Sequence, residues 1–168
     1  MKAIVEYVRL LSSRGRVITA EQAAAIAGVE LEQDIQAQHQ ALVAEPEFHD
    51  VVLCCEQDQH FLYSNQVMAD SYAAQCVAIE CGEPLRAMTT EVSRFSGLGE
   101  LLPATTFSHP PYKLTSEQLE QQRLLLCEQP NIGYVEGNDG DGYLYDSNHI
   151  SASYAQVLAD YDEFEHCC

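Results

Sequence analysis

Apolar residues along the chain change their spacing several times, and each change predicts a different kind of element. Near the start, Ile4, Val8 and Leu11 recur at intervals of three or four residues, which predicts a helix over 3–12. The run VVLCCEQDQHFLYS at 51–64 has two short apolar stretches separated by polar residues, which predicts a β-hairpin. The chain is therefore expected to mix helices with short strands.

Three further helices are predicted in the first half of the chain. Thr19 precedes the small-residue run AEQAAAIAG and is expected to cap a helix that ends at Gly28. Apolar residues recur at helical spacing over 31–44, and this helix is expected to end before Pro46 because proline cannot continue it. Another helix is predicted over 67–79.

Part of this pattern occurs twice. FLYSNQVMADSYA at 61–73 is similar to YLYDSNHISASYA at 143–155, with an offset of 82 residues. The matching tyrosines are expected to belong to a shared core that closes a strand against the next helix. The alternative is an aromatic surface for a partner. The tyrosines are Tyr63, Tyr72, Tyr145 and Tyr154.

A second match lies upstream of the first. IQAQHQALVAEPEF at 35–48 aligns with LEQQRLLLCEQPNI at 119–132, with an offset of 84 residues, and this places Phe48 opposite Ile132. Apolar spacing predicts additional helices over 84–96 and 150–161. Both halves therefore contain a helix, a hairpin and a further helix in the same order.

The second half departs from the first at one segment. GLGELLPATTFSHPPYK at 97–113 contains three prolines, so a regular second helix is not expected there. Thr115 or Ser116 is expected to cap the helix that follows. We predict an α+β, mostly helical chain with units at 1–82 and 83–168, the second irregular. The two units are expected either as separate bodies or as one body packed through the helix at 66–81.

The order of three helices and a two-stranded hairpin gives a resemblance to a known superfamily. ITAEQAAAIAGVELEQDIQAQHQAL at 18–42 resembles the helix-turn-helix core of winged-helix domains, and the resemblance covers about residues 2–64. It implies two winged-helix-like units, each with three helices and a hairpin called the wing. In many winged helices the third helix enters the DNA major groove and the wing touches phosphate.

Composition argues against that DNA-binding role. The chain has 26 acidic and 8 basic residues and a net charge of −18, divided as −8 in 1–82 and −10 in 83–168. Phosphate binding depends on Lys and Arg, so such a surface repels nucleic acid and favours a basic partner. The alternative is that the acidity only keeps the protein soluble.

The positions that would contact phosphate in a DNA-binding winged helix are neutral or acidic here. We therefore predict that the carboxylates of the third helices and of the wing tips bind a protein partner with a basic surface. They are Glu32, Asp34, Glu56, Asp58, Glu117, Glu120, Glu136, Asp139 and Asp141.

No motif indicates a catalytic, cofactor or metal site. The six histidines are scattered, and the glycine-rich segment 137–142 is interpreted as a turn rather than a calcium loop. The seven cysteines are interpreted as buried or incidental thiols, with a metal site at 166–168 as the alternative. The absence of a long apolar run and the charged residues of the first helix favour a cytoplasmic protein without a membrane span.

Three functional hypotheses follow. The first is a non-enzymatic, acidic adaptor that binds other proteins in a transcription or chromosome-associated complex, where tandem winged-helix adaptors occur. The second is a protein whose surface carboxylates mimic DNA and block a nucleic-acid-binding protein. The third is a winged-helix transcription regulator that binds DNA directly.

Overall fold

The computed structural model describes residues 2–28, 35–138 and 140–161. The chain divides into two compact units, with the division between Glu83 and Pro84. Each unit combines helices with one antiparallel sheet of three strands. The fold is therefore α+β, and the two parts are called the first and the second unit.

Within the described residues, the first unit has four α-helices and three strands. In chain order they are α1 (Lys2–Ser12), β1 (Ile18–Thr19), α2 (Ala20–Ala27), α3 (Ile35–Val43), β2 (Val51–Glu56), β3 (Gln59–Ser64) and α4 (Asp70–Glu80). A short 3₁₀ helix, Pro46–Phe48, lies between α3 and β2. The strand β3 is central, with β1 and β2 at the two edges.

Local signals in the sequence explain the bounds of α2. The Thr19 hydroxyl accepts a hydrogen bond from the Gln22 backbone N–H, and the Gln22 side chain accepts one from the Thr19 N–H. This capping box satisfies two donors that the first helical turn would leave unpaired. Gly28 ends the helix in the left-handed conformation at φ 64°, so both the predicted cap and the predicted stop are confirmed.

The central strand β3 is buried on both faces. Leu62 packs with Val5 and Val8 of α1 on one face of the sheet. Phe61 and Tyr63 pack with residues of α4 on the other face. A strand with helices on both sides needs apolar side chains at successive positions, which explains the unbroken apolar run FLY.

The second unit has a closely similar order of elements. They are α5 (Pro84–Gly97), β4 (Leu102–Pro103), α6 (Ser116–Cys127), β5 (Ile132–Glu136), β6 (Gly142–Asp146) and α7 (Ala152–Ala159). The sheet order is β4-β6-β5, so β6 is central as β3 is in the first unit. Leu144 of β6 packs towards α5 and α6, and Tyr145 packs towards α7.

The proline-rich segment at 97–113 forms no α-helix. It contains β4 and a 3₁₀ helix, Ala104–Ser108, in the position that α2 has in the first unit. Phe107 of this short helix is fully buried, and its ring meets the Tyr112 ring edge-on at a centroid distance of 4.8 Å. One large aromatic side chain thus fills core space beside a backbone that cannot form a regular helix.

The register of the sheets corrects one part of the sequence alignment. Val51 lies opposite Ser64, and Ile132 lies opposite Asp146, so Ile132 corresponds to Val51 and not to Phe48. The pairing of Phe48 with Ile132 is wrong because the 3₁₀ helix containing Phe48 adds residues between α3 and β2. The pairing of Leu42 with Leu126 agrees with the structure, since each is buried near the end of its helix.

The predicted starts of α4 and α7 were too early. These helices begin at Asp70 and Ala152, after the buried loop residues Met68 and Ile150. A buried apolar side chain in a loop extends the apolar pattern of the adjacent helix, so periodicity alone misplaces the boundary. Thr115 caps α6 as predicted, and its capping box is closed by Gln118.

Candidate interaction surfaces

The predicted partner-binding carboxylates lie on three separate elements. Asp58 lies at the turn between β2 and β3, where Gln57 and Asp58 have φ values of 49° and 61°. Glu136 and Asp141 border the β5–β6 turn, and Glu117 and Glu120 lie on α6. These five residues are exposed and Glu56 is half-buried. The predictions for Glu32, Asp34 and Asp139 fall outside the described residues.

The single basic side chain of α6, Arg123, is engaged within its own unit. Arg123 Nε donates to Glu120 Oε2 at 2.8 Å, and Nη2 donates to Glu120 Oε1 at 2.5 Å. The guanidinium carbon lies 4.6 Å from the centre of the Tyr134 ring. The hydrogen bond from Arg123 lowers the pKa of Glu120, so this carboxylate stays ionised. Because the positive charge of Arg123 is paired with Glu120, it is not available to bind a phosphate.

Two leucines of α6 are also exposed, although the sequence did not indicate them as site residues. Leu124 is 54% exposed and Leu125 is 42% exposed. Glu117, Gln121 and Glu128 lie seven, three and four positions from Leu124, so they share its helix face and are also exposed. Five residues define this surface, the α6 face: Glu117, Gln121, Leu124, Leu125 and Glu128.

The run LLLC at 124–127 explains why the sequence did not reveal this surface. Within this run Leu126 is fully buried, whereas Leu124, Leu125 and Cys127 are exposed. Consecutive helical residues are 100° apart, so four adjacent apolar residues cannot all face the core. The length of this apolar run was the one feature of the sequence that indicated exposed apolar side chains on α6.

The corresponding surface of α3 in the first unit is neutral in its described part. Gln40 and Ala41 occupy the positions of Leu124 and Leu125, with the offset of 84 that relates these helices. Gln36 and Ala44 occupy the positions of Glu120 and Glu128. His39 Nε2 is 2.8 Å from the Val51 carbonyl oxygen, so its ring is engaged with β2. The two units therefore present chemically different helix surfaces.

A buried carboxylate in the first unit has a structural role. Asp50 accepts hydrogen bonds from Arg9, with 2.9 Å between Nε and Oδ2, and from the Ser64 hydroxyl at 2.5 Å. These bonds outweigh burial and lower the pKa of Asp50 to about 2, the Arg9 hydrogen bond contributing most. Ser64 is fully buried, so its hydroxyl has no access to a substrate and stabilises the carboxylate instead.

A related cluster in the second unit surrounds Asp146. Ser93 donates to Asp146 Oδ2 at 2.6 Å, and the Asn148 backbone N–H donates to Oδ1 at 2.9 Å. Burial raises the pKa of Asp146, but the hydrogen bonds from Ser93 and Asn148 outweigh it and leave the pKa below its ordinary value. Like Asp50, this buried carboxylate is satisfied by donors within its own unit.

The repeated tyrosines differ in exposure. Tyr63 and Tyr145 are buried, as expected for core residues, and Tyr63 donates to Asp70 Oδ1 at 2.9 Å. Tyr72 packs against Gly15, whereas Tyr154 is 52% exposed and lies beside exposed Val157 on α7. A core role is therefore wrong for Tyr154, although it is right for the strand tyrosines.

Residues 2–28, 35–138 and 140–161 contain neither a metal-binding cluster nor a membrane-spanning helix. In these ranges no group of three or more His, Cys, Asp or Glu side chains is placed to hold a metal ion. No helix in the same ranges is both long and apolar enough to span a membrane. Comparisons with protein-family models, curated proteins and solved structures found no significant match.

Proposed function

We propose that the protein is a non-enzymatic, acidic adaptor built from two winged-helix-like units, and that it binds a protein with a basic surface. The order of helix, strand, helix, helix and hairpin supports this assignment for the first unit. Placement of the third strand in the centre of each sheet supports it for both. Transcription and chromosome-associated complexes are the proposed setting.

One observation carries the choice of a protein partner over DNA. The helix that would enter the major groove in the second unit is α6, and its outer side carries exposed Glu117 and Glu128 while Arg123 is paired with Glu120. Phosphates at this surface would meet carboxylates with no free guanidinium on the helix. The same charges attract lysine and arginine side chains of a protein.

The test is capture of partners by the tagged full-length protein from host extract. Wild type is compared with a variant in which Glu117, Glu128 and Glu136 are changed to Gln. The control changes Glu21, Glu45 and Glu80 to Gln, which removes the same charge from other exposed positions. A defined partner retained by wild type and control, but lost by the first variant, supports the proposal.

DNA binding provides the contradicting outcome. If the pure protein shifts a random DNA duplex at about 50 mM salt, the electrostatic reasoning fails and a DNA-binding regulator becomes the better assignment. The measurement is a gel-shift titration at several salt concentrations.

DNA mimicry is a second candidate, favoured by the strong negative charge in both halves of the chain. A DNA-binding partner captured by a mimic should dissociate steeply as salt rises, because charge supplies nearly all of that affinity. An adaptor with apolar contacts should keep its partner at about 0.5 M salt, where the Debye length is only a few ångströms.

A further inference from the structure

We propose that the α6 face is the docking surface of the adaptor and that its occupant is a basic, amphipathic helix of a partner protein. Apolar side chains of that helix would cover Leu124 and Leu125, and its flanking lysines or arginines would pair with Glu117 and Glu128. This inference rests on the proposed function and specifies its surface and its partner.

The two leucines have no role in the core of their unit. Leu126 supplies the buried contact from this part of α6, together with the partly buried Leu119. Leu124 and Leu125 are instead 54% and 42% exposed and lie next to each other on the helix. Adjacent exposed leucines favour an interaction site more than isolated ones do, since single exposed apolar residues are common on soluble proteins.

The first unit shows that the scaffold does not require these leucines. Its corresponding helix α3 places Leu42 in the core, as α6 places Leu126, yet carries Gln40 and Ala41 at the exposed positions. The apolar pair is therefore specific to the second unit. Exposed leucines that the fold does not require are expected where a helix contacts a partner.

Charge complementarity selects the occupant. Glu117 and Glu128 bracket Leu124 on the same helix face, and both are exposed. A second copy of the chain would bring two acidic surfaces together, and nucleic acid would bring phosphates. A helix with an apolar stripe flanked by basic residues matches both the leucines and the carboxylates.

The test uses the full-length protein and designed 18-residue helical peptides labelled with fluorescein. One peptide has a leucine stripe flanked by lysines. A second replaces the lysines with glutamates, and a third replaces the leucines with serines. Fluorescence anisotropy at about 0.15 M salt gives the dissociation constants. We expect binding of the first peptide and at least tenfold weaker binding of the other two.

Variants that exchange residues between the matched helices locate the site. Leu124→Gln combined with Leu125→Ala gives α6 the residues of α3 and should weaken binding of the lysine peptide at least tenfold. Glu117→Gln combined with Glu128→Gln should weaken it about threefold to tenfold, and less at high salt. Gln40→Ala in the first unit is the control and should bind as wild type does.

Folding is checked separately by circular dichroism and thermal unfolding, which should not change because all the substituted side chains are exposed. Equal binding by wild type and by the leucine double variant would overturn the inference, as would failure of wild type to bind the lysine peptide. A dimer in light scattering that the leucine variant abolishes would also overturn it, since the occupant would then be a second copy.

Capture of the host partner separates this inference from the proposed function. If the leucine double variant still retains the partner, the adaptor function stands and the α6 face is the wrong surface. If neither wild type nor variant captures any partner or peptide, both proposals fail. The expected result is that wild type retains the partner and the leucine double variant loses it.

Discussion

Both units place a buried serine and a buried carboxylate near the central strand, but the carboxylate occupies a different position in each. In each, a serine of the first helix accepts a hydrogen bond from an amide of the central strand. The distance is 2.9 Å from Ser64 N to Ser12 Oγ and 2.8 Å from Asp146 N to Ser96 Oγ. In the first unit, the adjacent buried carboxylate precedes β2 as Asp50, whereas in the second it is Asp146 on β6 itself. The serine acceptor is therefore common to the two units, whereas the buried carboxylate lies before β2 in one unit and on the central strand in the other.

The two units differ more at the second helical segment, which is α2 in the first unit and the 3₁₀ helix Ala104–Ser108 in the second. The first unit uses α2, whose Ala23 and Ala24 are buried. The second unit has only a 3₁₀ helix there and fills the core with Phe107. A bulky aromatic side chain can thus occupy core space where no regular helix forms, and filling that space matters because a void loses packing contacts.

The largest effect on stability is expected when the side chain that fills the core of the second unit is removed. Phe107→Ala should lower the free energy of unfolding of the second unit by about 3–5 kcal/mol, since it leaves a cavity lined by apolar residues. Urea titration followed by two-dimensional NMR reports each unit by its own amide signals. Leu98→Ala, at a 65% exposed position, should change stability by less than about 0.5 kcal/mol. Equal effects would show that Phe107 is not a core residue.

The next effect tests the buried carboxylate of the first unit. Asp50→Ala leaves the Ser64 hydroxyl and the Arg9 guanidinium without their acceptor and should destabilise the first unit by about 2–4 kcal/mol. The matched control is Asn131→Ala, because Asn131 is the exposed residue at the same position before β5. A small and equal change in both variants would contradict the assigned role of Asp50.

Acid titration tests the same group through its charge. The pKa of Asp50 is about 2 in the folded protein and about 3.9 in an unfolded chain. The stabilisation is therefore complete above about pH 5 and is lost as pH falls through about 2, by about 2–3 kcal/mol in all. Asp50→Asn should flatten this part of the urea-stability profile for the first unit. A profile unchanged by the substitution would rule out this linkage.

The smallest effects should be alike in the two units. Ser12→Ala and Ser96→Ala each remove the acceptor for one buried backbone amide and should destabilise their own unit by about 1–2 kcal/mol. Amide hydrogen exchange at Ser64 and Asp146 measures the change at the affected donor. A marked difference between the two variants would show that the serines are not equivalent.

The predictable parts of the fold were those set by neighbouring residues. Thr19 was predicted as one cap and Thr115 or Ser116 as another, and Thr19 and Thr115 are the caps observed. Such caps are predictable because a capping box lies within four residues. The repeat also predicted two units with hairpins in matching places. The candidate site was only partly predictable, since the exposed positions of Glu117 and Glu120 agree with the acidic surface but Leu124 and Leu125 were not selected.

Most of the α-helices, the two hairpins, the repeat, the irregular second helix of the second unit and the acidity of both halves could be predicted from the sequence alone. Three features depend on tertiary packing instead. One is which residue of the LLLC run is buried, and another is the hydrogen bond from Arg9 to Asp50, 41 positions away. The third is that Tyr154 is exposed whereas Tyr72 packs on Gly15. Capping and periodicity act between near neighbours, whereas burial depends on residues brought together by packing. The rotation of α6 about its axis is set by packing against α5, the 3₁₀ helix Ala104–Ser108 and β5, and this rotation leaves the two leucines exposed.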